Sequence, residues 1–144
     1  MGKQLYWDDV KVGQEIPGFS LNVDSLQVVK QISGSQDYNP HHHDVQWVRA
    51  GGYRDIFMNT GFMQGCFNRL ICSWIGDEGV LRRFHMEMRR MNHPGDVLTL
   101  KGKVTEKYRK DGESYVEADV WVENQREGVT TPASCVVTLP SRRG

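Results

Sequence analysis

The chain has 144 residues, 38% apolar and 25% charged, the size and make-up of one soluble globular domain able to bury a core without metals or disulfides. Its 18 Lys and Arg balance 18 Asp and Glu, so charge gives no reason to expect a nucleic-acid partner and leaves self-association easy. The polar, acidic start lacks a signal-peptide core, and no apolar run nears the roughly 20 residues that span a bilayer, so the expectation is a cytoplasmic protein with no membrane contact.

Leu5 to Val23 reads as a lead-in and a strand broken by turns at Val12-Gly13 and Pro17-Gly18. Asp24 or Ser25 can cap a helix running to about Ser33, with Leu26, Val29 and Ile32 on one face and Gly34 at its end. A polar loop follows, Ser35 to Asp44, in which Asn39-Pro40 forbids continuous helix. Asp44 can cap a short helix, Val45 to Arg49, closed by Gly51-Gly52.

Thr60 to Ile75 carries the strongest helical pattern. Phe62, Met63, Cys66, Phe67, Leu70, Ile71 and Trp74 form a face so broad that it predicts a helix wrapped by protein on most sides. Gly61 and Gly65, one turn apart, are read as points of close backbone approach. Beyond Gly79 the period becomes two: Phe84, Met86 and Met88, then Leu98, Leu100 and Val104 after the Pro94-Gly95-Asp96 turn. Asp111-Gly112 occupies a hairpin position. Val116, Ala118, Val120 and Val122 alternate next. Pro132 is expected to open a last strand with Ala133, Cys135, Val137 and Leu139 on one face, and the tail from Ser141 to Gly144 to fray. One long apolar helix before at least four antiparallel strands predicts an α+β fold, a curved sheet around a central helix, over a single domain, 1–144. The sheet's edges favour pairing of two copies.

Cys66, Cys72 and Cys135 are odd in number and include no C-x-x-C, which argues against a disulfide framework and a zinc finger. They read as buried, reduced thiols. None has a His or Asp close in sequence to make it a nucleophile.

The loop Asp37-Tyr38-Asn39-Pro40-His41-His42-His43-Asp44 carries the chemistry. A carboxylate and an imidazole in one pocket can divide the work of a base and an acid. The pattern Asp-x-Asn-Pro-x-His-x-Asp resembles the signature of the MaoC-like dehydratases, which include the R-specific enoyl-CoA hydratases. Tyr6 to Gln14, Ile32-Ser33-Gly34 and Pro94 to Leu98 resemble their flanking stretches, so the likeness spans nearly the whole chain.

The resemblance implies a hot-dog fold and a hydro-lyase acting on an acyl-CoA thioester, with no cofactor beyond the coenzyme A of the substrate, in a homodimer or higher homo-oligomer. It makes Asp37 and His42 the acid/base pair that holds water, with Asn39 fixing their turn. Gly61 N–H, at the start of the central helix, becomes the oxyanion donor, and Thr60 sits beside it. Phe57, Phe62 and Met63 are expected to border the acyl tail. Two positions depart from the family pattern: His41 stands where an aliphatic residue is usual, and Thr60 where His is usual.

Other readings compete. A hydrogen-bonded loop capping the next helix would also use Asp37 and His42. His41 and His43 read as solvated or supporting groups. Adjacent histidines seldom converge on one ion, so no metal site is expected. Arg82, Arg83, Arg89 and Arg90 could clamp coenzyme A phosphates but read better as solvent-facing strand charges. A thioesterase on the same fold would attack the carbonyl and would not need this spaced signature. A non-catalytic acyl-CoA-binding subunit would not need an intact Asp37 and His42.

Overall fold

The computed structural model describes residues 3–143. Its helices are α1 (Ser25–Ser35), α2 (Val45–Ala50) and α3 (Thr60–Ile75), and its strands β1 (Glu15–Asn22), β2 (Val80–Met86), β3 (Val97–Lys110), β4 (Glu113–Asn124) and β5 (Gly128–Thr138). The strands form one antiparallel sheet in the order β1-β3-β4-β5-β2. Helix α3 touches both edge strands and β3, so the sheet curls around it. This is the curved sheet around a central helix that the two periodicities predict, and the hot-dog arrangement that the resemblance implies.

The sheet follows its sequence pattern closely. Val116, Ala118, Val120 and Val122 face inward from β4, with Leu98, Leu100 and Val104 of β3 and Cys135 and Val137 of β5. They meet Met63, Phe67, Leu70 and Ile71 of α3 in one core. Asp111 and Gly112 both have positive φ, 52° and 78°, which defines a type I′ turn and sets the β3–β4 register.

Several expectations are corrected. Pro17-Gly18 lies inside β1 rather than between elements, at a register shift between Ile16 and Phe19. A Cβ on Gly18 would stand 2.1 Å from the Leu100 carbonyl oxygen, so only glycine lets β1 lie against β3 there. β5 begins at Gly128, not Pro132. The Pro132 carbonyl accepts from Glu87 N–H, just past the end of β2, so the proline forgoes only the reciprocal donation at a point where β2 has ended. β2 itself stops at Met86, leaving Met88 outside the strand.

Helix α1 is rolled from its expected orientation. Asp24 caps it, accepting from Gln27 N–H at 2.6 Å, and it runs through Gly34 to Ser35, ending where Gln36 turns left-handed. Val28, Gln31 and Ile32 face inward, while Leu26 and Val29 are 59% and 47% exposed. The central helix is also less enclosed than its breadth suggested: Gln64, Gly65, Asn68 and Arg69 are exposed, and no atom approaches a Cβ built on Gly65 within 4 Å. Cys66 and Cys135 are buried as expected, but Cys72 is exposed; all three are free. The tail does not fray as far as it is described, because Asp8 accepts from Ser141 and Arg142, and Arg142 pairs with Asp9 at 2.6 Å. Gly144 lies outside the described residues.

Candidate active site

The loop after α1 is shaped by its own polar side chains. Asn39 Oδ1 accepts from His41 N–H at 3.1 Å and caps a single 3-10 turn, Pro40–His42, with proline at its first position. The Asp37 carboxylate accepts from Asn39 N–H at 3.3 Å. Asp44 then caps α2 by accepting from Trp47 N–H at 3.0 Å. This turn brings His42 Nε2 to 3.1 Å from Asp37 Oδ2. The imidazole is buried, with 7% of its side chain exposed, while the carboxylate is 40% exposed. The sequence-expected pair is therefore assembled, with its solvent side at Asp37.

The far side of the imidazole fixes its proton. His42 Nδ1 lies 2.8 Å from the Phe57 carbonyl oxygen. A carbonyl only accepts, so Nδ1 carries hydrogen. Nε2 then faces a carboxylate oxygen, and a hydrogen bond there needs a second proton shared by the pair.

The start of α3 closes the site. Asn59 caps the helix, its Oδ1 accepting from Phe62 N–H at 2.8 Å. Its Nδ2 donates to Asp37 Oδ2 at 3.3 Å and to Ser35 Oγ at 3.1 Å. The Thr60 and Gly61 N–H groups, ahead of the first intrahelical bond, have no hydrogen-bond partner among the described residues. They are the free donors at the positive end of the helix. Gly61 borders a cavity of about 710 Å³ between α1 and α3, lined also by Leu21, Gln31, Asn59, Phe62 and Arg69.

The expected binding residues divide. Phe62 is half-buried and lines the cavity. Met63 has no exposed surface and belongs to the core behind α3, because one residue of helical advance turns it about 100° away from Phe62. Phe57 also lies outside the cavity: its ring packs against His42 and His41 at 5.4 and 5.3 Å, and its carbonyl holds Nδ1. Thr60 opens α3 with an exposed side chain. Asn39 shapes the turn and has no contact with the cavity. His41 is half-buried and supports the turn, packing edge-on against Trp47 and Tyr53. His43 is exposed and bonds the Tyr38 carbonyl at 3.0 Å. Arg82, Arg89 and Arg90 pair with Glu113, Glu87 and Glu127 at the surface.

Sequence reasoning missed Gln31, Ser35, Asn59 and Arg69. Asn59 was the most legible, as an Asn directly before a strong helix. Burial pushes the Cys66 thiol up to about 11, against the opposing charge of Arg69, so this cavity thiol stays neutral and is a poor nucleophile. Among the described residues no group of three or more His, Cys, Asp or Glu is placed to hold a metal ion. Among the described residues no helix is long and apolar enough to cross a membrane.

Fold and site together define a hot-dog protein with a carboxylate–imidazole pair set beside the open end of its central helix. No family model matches the chain. It is 27% identical over 94 residues to the beta subunit of the 3-oxo-4,17-pregnadiene-20-carboxyl-CoA hydratase of Mycobacterium tuberculosis, covering 65% of this chain and 73% of that one. Among solved structures, the ChsH1-ChsH2 complex of Mycobacterium tuberculosis superposes with a TM-score of 0.79 at 24% identity, over 90% of this chain and 98% of the other. The (R)-hydratase of A. caviae involved in PHA biosynthesis gives 0.80 at 20%, over 92% and 98%. A MaoC-like dehydratase from Rhodospirillum rubrum gives 0.82 at 18%, over 97% and 99%. At these identities the solved structures establish the fold.

Proposed function

We propose that this chain is a hydro-lyase that adds water across, or removes it from, the α,β double bond of an acyl-CoA thioester. The Asp37–His42 pair at 3.1 Å, beside the unpaired N–H groups of α3, is the observation that carries the reading. The acyl part lies in the cavity between α1 and α3, with the thioester carbonyl toward Gly61. Water sits against the exposed side of Asp37. As its oxygen bonds to the β-carbon, Asp37 takes a water proton. The electrons of the double bond move toward the thioester oxygen, where Gly61 N–H and the helix end stabilise the enolate. His42 Nε2 gives its proton to the α-carbon. One proton has entered the pair and one has left, and transfer across the Asp37–His42 hydrogen bond restores the starting state. A thioesterase would attack the carbonyl carbon and would not need this spaced Asp37–His42 turn, and the cavity thiol, held neutral, offers it no nucleophile.

The direct test follows loss of enoyl absorbance with enoyl-CoA substrates of several acyl types and determines whether the product is the R alcohol. Thioester hydrolysis without hydration would refute the reading.

Assembly has two readings. Uncovered edges at β1 and β2 suit a homodimer. A relative that is a beta subunit, and a neighbour solved as the ChsH1-ChsH2 complex, favour instead a two-component hydratase in which this chain works beside a different one. Light scattering of the purified chain, with activity measured on the same sample, separates them: an active homodimer supports the first, an inactive chain that gains activity with a partner the second.

A further inference from the structure

Residues 56–59 have neither helix nor strand, yet their backbone is buried. Their polar groups must therefore be met by other parts of the chain. His93 Nδ1 meets the Ile56 carbonyl at 3.0 Å, and Met58 N–H donates to the Asn92 carbonyl at 3.0 Å. Gln31 supplies two more bonds from α1. Its Oε1 accepts from Asn59 N–H at 2.9 Å, and its Nε2 donates to the Phe57 carbonyl at 3.2 Å. The opposite amide orientation would set donor against donor, so the assignment is fixed by its partners.

Both bonded groups lead to the acid/base pair. The Phe57 carbonyl that accepts from Gln31 is the one that holds His42 Nδ1 at 2.8 Å. The Asn59 backbone held by Gln31 carries the amide that donates to Asp37 Oδ2. A third link runs through the Gln31 carbonyl, which accepts from Ser35 Oγ at 2.7 Å, the hydroxyl that in turn takes hydrogen bonds from Asn59 Nδ2 and Asp37 N–H. Gln31 is 7% exposed on a helix that leaves Leu26 and Val29 in solvent, so the fold buries an amide here in preference to two apolar side chains.

We propose that Gln31 is a positioning residue: through the Phe57 carbonyl and the Asn59 backbone it fixes the His42 imidazole and the Asp37 carboxylate relative to each other and to the start of α3. Its activity readout rests on the hydro-lyase reading above. Gln31→Leu removes both amide bonds at similar size. It should lower kcat about 100-fold with KM little changed, because a small misplacement of reacting groups is amplified in the transition state.

Gln31→Glu supplies the finer test, and stands in if the leucine variant fails to fold. Its ionised carboxylate still accepts from Asn59 N–H but cannot donate to the Phe57 carbonyl; once protonated, it can. Its kcat relative to wild type should therefore recover as pH falls. The titratable and charged groups around this position, among the described residues, are Asp37, His42, Cys66, His93 and Arg69. They are common to both proteins, so the ratio of variant to wild type isolates position 31. An unchanged kcat in Gln31→Leu, or a variant-to-wild-type ratio flat with pH in Gln31→Glu, overturns the proposal. If the wild-type chain hydrates no enoyl-CoA, the functional reading fails and nitrogen NMR of the His42 ring decides this one. An Nδ1 proton that is held in wild type and lost or exchange-broadened in either Gln31 variant supports positioning; identical ring signals overturn it.

Discussion

The sheet from Val97 to Thr138 and the segment from Gln36 to Asn59 satisfy their buried backbones in opposite ways. In β3, β4 and β5 the ladder does it, and side chains are left to pack in an alternating core. In the segment there is no strand, and side chains share the work with scattered main-chain bonds: Asn39, His42, Gln31 and His93 each bond a main-chain group. A core strand can change side chains and keep its backbone. The segment cannot, because its polar side chains are both the scaffold and the chemistry.

Breaking that contrast gives its largest effect at the pair itself. Asp37→Asn and His42→Ala should each lower kcat by about 100- to 10,000-fold, the usual range for a lost general acid or base. The double variant should be little worse than the worse single one, since both groups serve one water. Steady-state hydration kinetics check this, and full activity in Asp37→Asn would place the base elsewhere. His43→Ala, on an exposed side chain, should leave kcat nearly unchanged.

The core should answer oppositely. Phe67→Ala empties a fully buried site between α3 and the sheet and should cost about 3–5 kcal/mol in urea unfolding. Activity per folded molecule should stay near wild type. A loss of kcat as great as that of His42→Ala would mean that the two regions are not separable.

Phe62 lies on the boundary, on α3 but facing the cavity. Phe62→Ala should shift preference among acyl chain lengths more than it lowers the melting temperature. Equal loss for every substrate would return Phe62 to the core.

The smallest effect tests how residues 56–59 are held from behind. Burial works against the charged form of Asp96, but hydrogen bonds from Arg126 and His93 N–H, with the Arg126 charge, outweigh it and hold the carboxyl below its ordinary 3.8. A folded pKa below the unfolded one contributes stability above pH 3.8, lost as pH falls through the lower folded value. Asp96→Asn should therefore be less stable than wild type at neutral pH, with the gap narrowing below that point. Urea midpoints across the acid range check the sign; a gap that widens on acidification contradicts it.

The sequence by itself determined what rests on local period and local turn chemistry. The span of α3, the alternation of β3 and β4, and the Asp111-Gly112 hairpin follow from neighbouring residues, whereas the Asp37 to His42 turn was legible only through the resemblance of its motif. Tertiary structure alone decided which polar groups meet across long separations. Gln31 is 26 residues from Phe57, and no period on α1 announces that its amide, rather than Leu26 or Val29, faces inward. Met63 and Phe62 are equally apolar in sequence, yet one helical step sends one into the core and the other to the cavity. The same reason covers both cases: apolar pattern shows that a face is buried, but the demand of particular buried carbonyls and N–H groups for partners chooses which face, and that demand exists only once the chain has folded.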